Sequence, residues 1–359
     1  MTVYILKRLL LMVPTLFGIM LLTFTVTQFV PGGPVERLIA EIEGHAATGG
    51  RGIGTGAGEV RIRKSGDLYQ GSQGLDQERL EKLKKLYGFD KPPVERFLTM
   101  MRNYLLFDFG ESYYHHKSVV ELVISKLPVS MSLGLWTFLI VYSTCIPLGI
   151  SKAVREGSRF DTISSSVILI GYAIPGFVLA ILLIVLFGGG SFWNIFPLRG
   201  LVSDNWSEFG LIHKVLDYLW HMVLPITSST VGSLAIMTLL TKNSFLEEIR
   251  KQYVLTARAK GLAENQVLYK HVFRNAIIPI ITGFPGQFIS AFFTGSLLIE
   301  TIFSLDGLGL LGYQSVMNRD YPVVLGTLYF FTIIGLISRL LSDLSYVLVD
   351  PRITFESVD

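Results

Sequence analysis

LLLMVPTLFGIMLLTFTVTQFV, residues 9–30, carries no charged side chain. A helix of about 20 apolar residues is long enough to cross the hydrocarbon core of a bilayer. The stretch therefore reads as a transmembrane helix. Lys7 and Arg8 precede it, as they would a secretory signal, but no small-residue cleavage site follows the run. It reads as a retained span, and the rest of the chain decides whether it is an anchor or the first of several.

Five further runs of the same kind follow, at about 128–150, 163–188, 222–241, 280–303 and 322–349. Prolines and glycines interrupt several of them, which neighbouring helices in a membrane can accommodate. The 359 residues are 50% hydrophobic and only 16% charged, against about 25% charged in a soluble domain. Together these features predict an all-α integral membrane protein with six transmembrane helices. The net charge of +3 is small, and the basic residues gather in short loops beside apolar runs, so nothing points to a nucleic-acid partner. The single cysteine, Cys145, lies inside an apolar run, reads as a packing residue and can form no intrachain disulfide.

The short loops set the direction of insertion. Lys152, Arg155 and Arg159 lie in 151–162, and seven basic residues from Lys242 to Arg274 lie in 242–279. The loop 304–321 carries only Arg319, against Asp306 and Asp320. The positive-inside rule puts the two basic loops in the cytoplasm, with both termini, which carry Lys7, Arg8 and Arg352. The predicted organisation is a first span within 1–30, an external region 31–127 and a core 128–359 of five spans. Long external segments translocate whatever their charge.

Within 31–127, GHAATGGRGIGTGAGEVRIRKSG (44–66) lacks the G-x-x-x-x-G-K-[ST] pattern of a phosphate loop and reads as a linker. DQERLEKLKKLYGF, from Asp76, and PPVERFLTMMRNYLLFDFG have helical spacing and predict a small external helical region.

The loop between the fourth and fifth runs contains YVLTARAKGLAENQVLYKHVFRNAIIP, residues 253–279. Tyr253–Lys260 reads as one short helix, and Gly261 suits the left-handed residue that ends it. A second helix follows, in which Leu268 and Val272, and Tyr269 and Phe273, pair at i,i+4. Pro279 marks the return to the membrane. Two helices at a glycine corner with a basic surface suit either anionic lipid headgroups or a cytoplasmic protein partner. Ala257, Ala259 and Gly261 would allow close approach, with Arg258 and Lys260 as polar anchors.

TARAKG followed by HVFRNAIIP resembles the cytoplasmic loop motif of ABC-importer permeases of the dipeptide, oligopeptide and nickel branch. Leu255 and Thr256 stand where the general motif has Glu and Ala, while Ala257 and Gly261 match it. The resemblance extends along nearly the whole chain. It includes PGGP (31–34), FDFGES (107–112) and IETIFSLDGLGLLG (299–312), with Gly33 and Asp306 departing from the branch pattern. The glycine-rich insert and FPLRGLVS (196–203) are most similar to the Yej-type peptide permeases, B subunit.

The resemblance implies a type I importer permease in the bacterial inner membrane, working as half of a pore for peptides or peptide-like solutes. It implies a second related permease subunit, two cytoplasmic ABC ATPase subunits or domains, and a periplasmic substrate-binding protein. Thr256, Ala257, Arg258, Ala259, Lys260 and Gly261 would form the coupling helix seated in an ATPase cleft. ATP and Mg would sit on the ATPase subunits, and this chain would bind no cofactor of its own. It contains no Walker lysine motif and no Ser-His or G-x-S-x-G arrangement, so an enzyme is not expected. His115–His116 has no cysteine or carboxylate at ligand spacing, so no metal site is expected there.

Polar residues at membrane depth are costly and often functional. Gln287, Ser290 and Thr294 in the fifth run, and Glu300 at its end, are candidates for a translocation path or gate. The competing reading makes the first three helix-to-helix glue and Glu300 an interfacial carboxylate bonded to backbone. Arg339 and Asp343 share a helix face and are expected to pair. The alternative at the level of function is a stand-alone secondary transporter or channel, which would show matched, interrupted spans in its two halves. No such self-similarity is evident. An intramembrane enzyme would need a catalytic pair at membrane depth, which the candidates do not supply.

Overall fold

The computed structural model describes residues 2–29, 91–189, 192–293 and 295–349. The readings made on 31–34, on the glycine-rich 44–66, on the helix from Asp76, on Thr294 and on Arg352 lie outside these residues. In chain order the helices are α1 (Thr2–Phe29), α2 (Pro93–Leu105), α3 (Val119–Val154), α4 (Arg159–Ala173), α5 (Gly176–Phe187), α6 (Leu211–Ile249) and α7 (Gln252–Ala259). They continue with α8 (Glu264–Gln266), a π-helical turn Val267–Val272, α9 (Phe273–Ala276), α10 (Ile278–Phe293), α11 (Leu297–Ile302), α12 (Leu308–Met317) and α13 (Tyr321–Val349). The only β feature among the described residues is an isolated bridge between Glu111 and Ser118. The fold is all-α.

Helices α1, α3, α6 and α13 are each long and apolar enough to cross a membrane. The third expected span, 163–188, is two helices, α4 and α5, bent by 92° at their junction. Pro175 causes the break. A residue before proline is pushed out of the helical region, and Ile174 is extended at φ −89, ψ 117. The fifth expected span, 280–303, is also not one helix. The 16 residues of α10 rise about 24 Å, short of the roughly 30 Å hydrocarbon core. Ser296 then leaves the helical region before α11 begins. The second span starts earlier than expected, at Val119 rather than near 128.

The contacts divide the chain into two compact units. The first comprises Met1–Pro14, Glu121–Gln314 and Phe330–Asp359. Its central element is α6, whose 39 residues rise about 58 Å, well beyond the hydrocarbon thickness. Gly149 of α3 lies so close to α6 that an added Cβ would stand 2.5 Å from Thr241; small residues permit such approaches between membrane helices. Cys145 is buried in a cluster with Val141, Met237, Ile277 and Ile280. Asp343 departs from expectation. Its carboxylate pairs with Arg8 at 2.6 Å and accepts from the Tyr4 hydroxyl at 2.9 Å, while Arg339 is exposed. The intrahelical Arg339–Asp343 pair is replaced by a tie between α1 and α13.

The second unit comprises Thr15–Val120 and Ser315–Tyr329. Phe97 of α2 packs edge-on to Phe17 at 5.4 Å and against Phe24 at 5.3 Å. Tyr104, Phe109 and Tyr329 form a second aromatic cluster. Asp320 accepts from the Ser112 hydroxyl and from the Tyr113 backbone at 3.1 Å. The serine of FDFGES thus anchors a turn.

Candidate functional site

Two places in the first unit concentrate the residues singled out by sequence. One is a helical knob built on the end of α6. Lys251, extended at φ −75, ψ 150, turns the chain into α7. Gly261 ends the turn at φ +79 with nothing within 4 Å of where a Cβ would stand. The left-handed backbone, and no neighbour, is what calls for glycine there. The second helix follows as predicted, but its middle is the π-helical turn Val267–Val272.

An apolar core holds the knob together. Val254, Ala257, Val267, Val272 and Ala276 pack with Phe245 of α6 and with Ile150 and Ala153 of α3. A polar frame surrounds it. The Tyr253 hydroxyl donates to Glu248 at 2.6 Å and accepts from the Asn275 amide at 3.1 Å. Burial first, then the bond to Glu248, pushes the phenol up to about 12, so it remains a neutral donor. Arg250 Nη2 donates to both carboxylate oxygens of Glu156, at 2.9 and 2.8 Å, and Lys251 pairs with Glu248.

The expected coupling residues divide by face. Thr256, Arg258, Ala259, Lys260 and Gly261 are exposed, whereas Ala257 is buried in the knob core. The small side chain of Ala257 therefore serves packing within the knob, not approach by a partner. Arg258 is exposed but already engaged, with Nε and Nη2 bonded to Glu264 at 2.9 and 3.1 Å. The pair closes the corner across Gly261. Leu255, which stands where the general motif has Glu, and Leu262 were not among the expected coupling residues, yet they are 49% and 37% exposed. These apolar side chains lie open on either side of the expected motif.

The other place is a cleft of about 590 Å³ between α3, α6, α10 and the α4–α5 junction. Gln287 and Ser290, expected in a path, line it, together with Ser296. Ser228, Ser229 and Ser233 of α6 line it too and were missed. In the sequence they look like helix glue, and the Ser228 and Ser229 hydroxyls do bond back to the Pro225 carbonyl at 2.9 and 2.8 Å. None of the lining residues carries a formal charge. Phe138 and Tyr142, stacked at 4.3 Å, give the cleft an aromatic wall.

Glu300 does not line the cleft. It is fully buried, and its carboxylate accepts from the backbone N–H groups of Ser296 at 3.0 Å and Leu310 at 2.7 Å. Its neighbour Ser130 accepts from Leu308 N at 2.8 Å. A Cβ on Gly307 would stand 2.5 Å from the carboxylate carbon. Glu300 thus ties α11 to the first turn of α12, and its place as a gate candidate passes to the structural alternative. Among the described residues no three His, Cys, Asp or Glu side chains gather as metal ligands would.

Comparison with known proteins adds the following. Residues 145–355 match the family described as "binding-protein-dependent transport system inner membrane component". The chain is 57% identical to the "Peptidoglycan transport system permease protein YejB" of Agrobacterium fabrum, across 100% of both chains. It is 54% identical to the "Inner membrane ABC transporter permease protein YejB" of Escherichia coli O157:H7, over 99% of this chain and 100% of that one. It is 31% identical to the "Oligopeptide transport system permease protein AppB" of Bacillus subtilis, over 99% and 100%.

Proposed function

This chain belongs to the binding-protein-dependent transport system inner membrane components, as a pore-forming permease subunit with no ATPase site of its own, and from that premise we propose how it works. It pairs with a second related permease, and the two together frame the path for peptides or peptide-like solutes. A substrate-binding protein on the outer side delivers the solute. Two ABC ATPase subunits, carrying ATP and Mg, seat on the knobs of the two permeases from the cytoplasm. Both termini lie on that same side, in keeping with the Arg8–Asp343 tie between the start of α1 and the end of α13.

The observation that carries this reading is the outward face of α7. Leu255, Thr256, Ala259, Lys260 and Leu262 are exposed on a knob whose opposite face is a packed core. A surface so held can pass a push from an ATPase into α3 and α6 without deforming. On the substrate side, the uncharged cleft is mainly apolar, and its few hydroxyls and the Gln287 amide offer hydrogen bonds to a solute backbone without a charge requirement. Such a path suits a system whose selectivity rests mainly on its binding protein. Gln287, Ser290 and Thr294, the last outside the described residues, remain path candidates, joined by Ser229 and Ser233.

Gly261→Val tests the coupling role. The substitution meets no neighbour, so its cost is backbone strain of about 1–2 kcal/mol in a left-handed β-branched residue. The expected outcome is a chain that reaches the membrane and assembles, with ATP hydrolysis that no longer drives uptake. Normal ATP-driven uptake by the variant would contradict the assignment.

A further inference from the structure

Lys152, read from sequence as a loop charge that marks sidedness, lies in the last turn of α3, and its side chain is fully buried. Its ammonium donates to the Asp161 carbonyl at 2.9 Å and to the Ser164 and Ser165 hydroxyls at 2.7 Å each, with the Asp161 carboxylate at 3.1 Å. Lys242 reaches the two oxygens of the same carboxylate at 2.8 and 2.7 Å. Gly157 N adds a bond at 3.2 Å. One carboxylate near the start of α4 therefore joins the end of α3 to the lower part of α6. Burial of two lysines with one aspartate carries a desolvation cost that offsets part of their attraction. What such a cluster secures is geometry: the donors and acceptors fit in one arrangement of the three helices.

The position of this cluster matters. Lys152 lies between Ile150 and Ala153, the α3 residues on which the knob packs, and Lys242 lies close to Phe245, the α6 residue in the same core. From Asp161, near the start of the 15-residue α4, the helix rises about 17 Å to Tyr172, just before the Pro175 break. Tyr172, Gly176 and Phe177 line the cleft. We propose that the Lys152–Asp161–Lys242 cluster is the brace through which displacement of the knob is delivered to the cleft, with α4 as the lever and Asp161 and Lys242 as positioning residues. This rests on the importer reading given above. Without the brace the knob would still move α3 and α6, but α4 would no longer follow.

Lys242 is the residue to change, because Lys242→Gln leaves the buried Lys152–Asp161 pair intact, whereas removing Asp161 would strand a buried ammonium. Spin labels at Leu255→Cys on α7 and Val167→Cys on α4, both exposed, in a Cys145→Ser background, report the distance between knob and lever in the purified chain. The expected result is a narrow distance distribution with Lys242, a broadened one in Lys242→Gln and Lys242→Met, and a narrow one again in Lys242→Arg. Without the labels, the same substitutions in the reconstituted importer are expected to lower uptake per ATP hydrolysed by about tenfold for Gln and Met, with Arg restoring it. An unchanged distance distribution overturns the brace. So does uptake that falls only in proportion to hydrolysis. A parent importer with no ATP-driven uptake would sink the importer reading instead, while the distance measurement would still decide the brace.

Discussion

The carboxylate of Glu300 accepts from two well-aligned backbone N–H groups, of Ser296 and Leu310, in a site closed to solvent. Glutamine at this position would keep the volume but offer only one accepting oxygen. An N–H left without a partner in a buried site costs about 1–3 kcal/mol. Glu300→Gln is therefore expected to lower the Tm of the detergent-purified chain measurably, and Glu300→Ala to lower it further. A gate residue would behave otherwise, changing uptake and leaving Tm unmoved, and that outcome would restore the gate reading. Arg258 gives a related lesson. Its sequence context suggested an anchor for a partner, but its guanidinium is engaged by Glu264. On the proposed reading, docking would then rest more on Leu255 and Leu262, which are exposed on the knob.

Between elements, the tie from α1 to α13 through Arg8, Tyr4 and Asp343 makes a specific prediction. Arg8 is 44% exposed in its side chain, so the pair is worth only the modest energy of an accessible ion pair, about 0.2–1 kcal/mol. A double-mutant cycle on Arg8→Ala and Asp343→Asn should return a coupling of that size in thermal stability. The cycle on Arg339→Ala and Asp343→Asn should return none, and a coupling there would contradict the geometry. The sequence made a pair of Arg339 and Asp343 because spacing of four within one helix is visible in a single chain segment. Contacts across hundreds of residues leave no such local trace.

The same limit explains what else was legible among the elements. Long apolar runs gave α1, α3, α6 and α13, and Gly261 gave the corner of the knob. Proline and glycine inside the third and fifth runs were visible but ambiguous, because membrane helices often absorb them. At the α4–α5 break the chain also meets α6 closely, which no local pattern shows: a Cβ on Gly176 would stand 2.9 Å from the Ser228 carbonyl oxygen. The break after α10 depends on Glu300 holding Ser296 N. The partner of Lys152 was not legible for a parallel reason, since charge in a short loop speaks of sidedness whether the side chain reaches headgroups or, as here, Asp161.

Among its partners, the chain would be a passive half of a machine. In the proposed cycle the knob would receive force, the brace and α4 would pass it on, and the uncharged cleft would change its exposure to the two sides. Every step depends on an ATPase seating on the outward face of α7. The measurement that tests this most directly is purification of the tagged chain from its native membrane in mild detergent, with Leu255 intact and as Leu255→Asp. Leu255 is exposed and outside the knob core, so the substitution should leave the chain folded. The account predicts that the intact chain brings down a second permease and ABC ATPase subunits, and that Leu255→Asp keeps the permease and loses the ATPases. ATPase subunits retained at the same level by Leu255→Asp, or absent from the intact chain under conditions that preserve its permease partner, would contradict it.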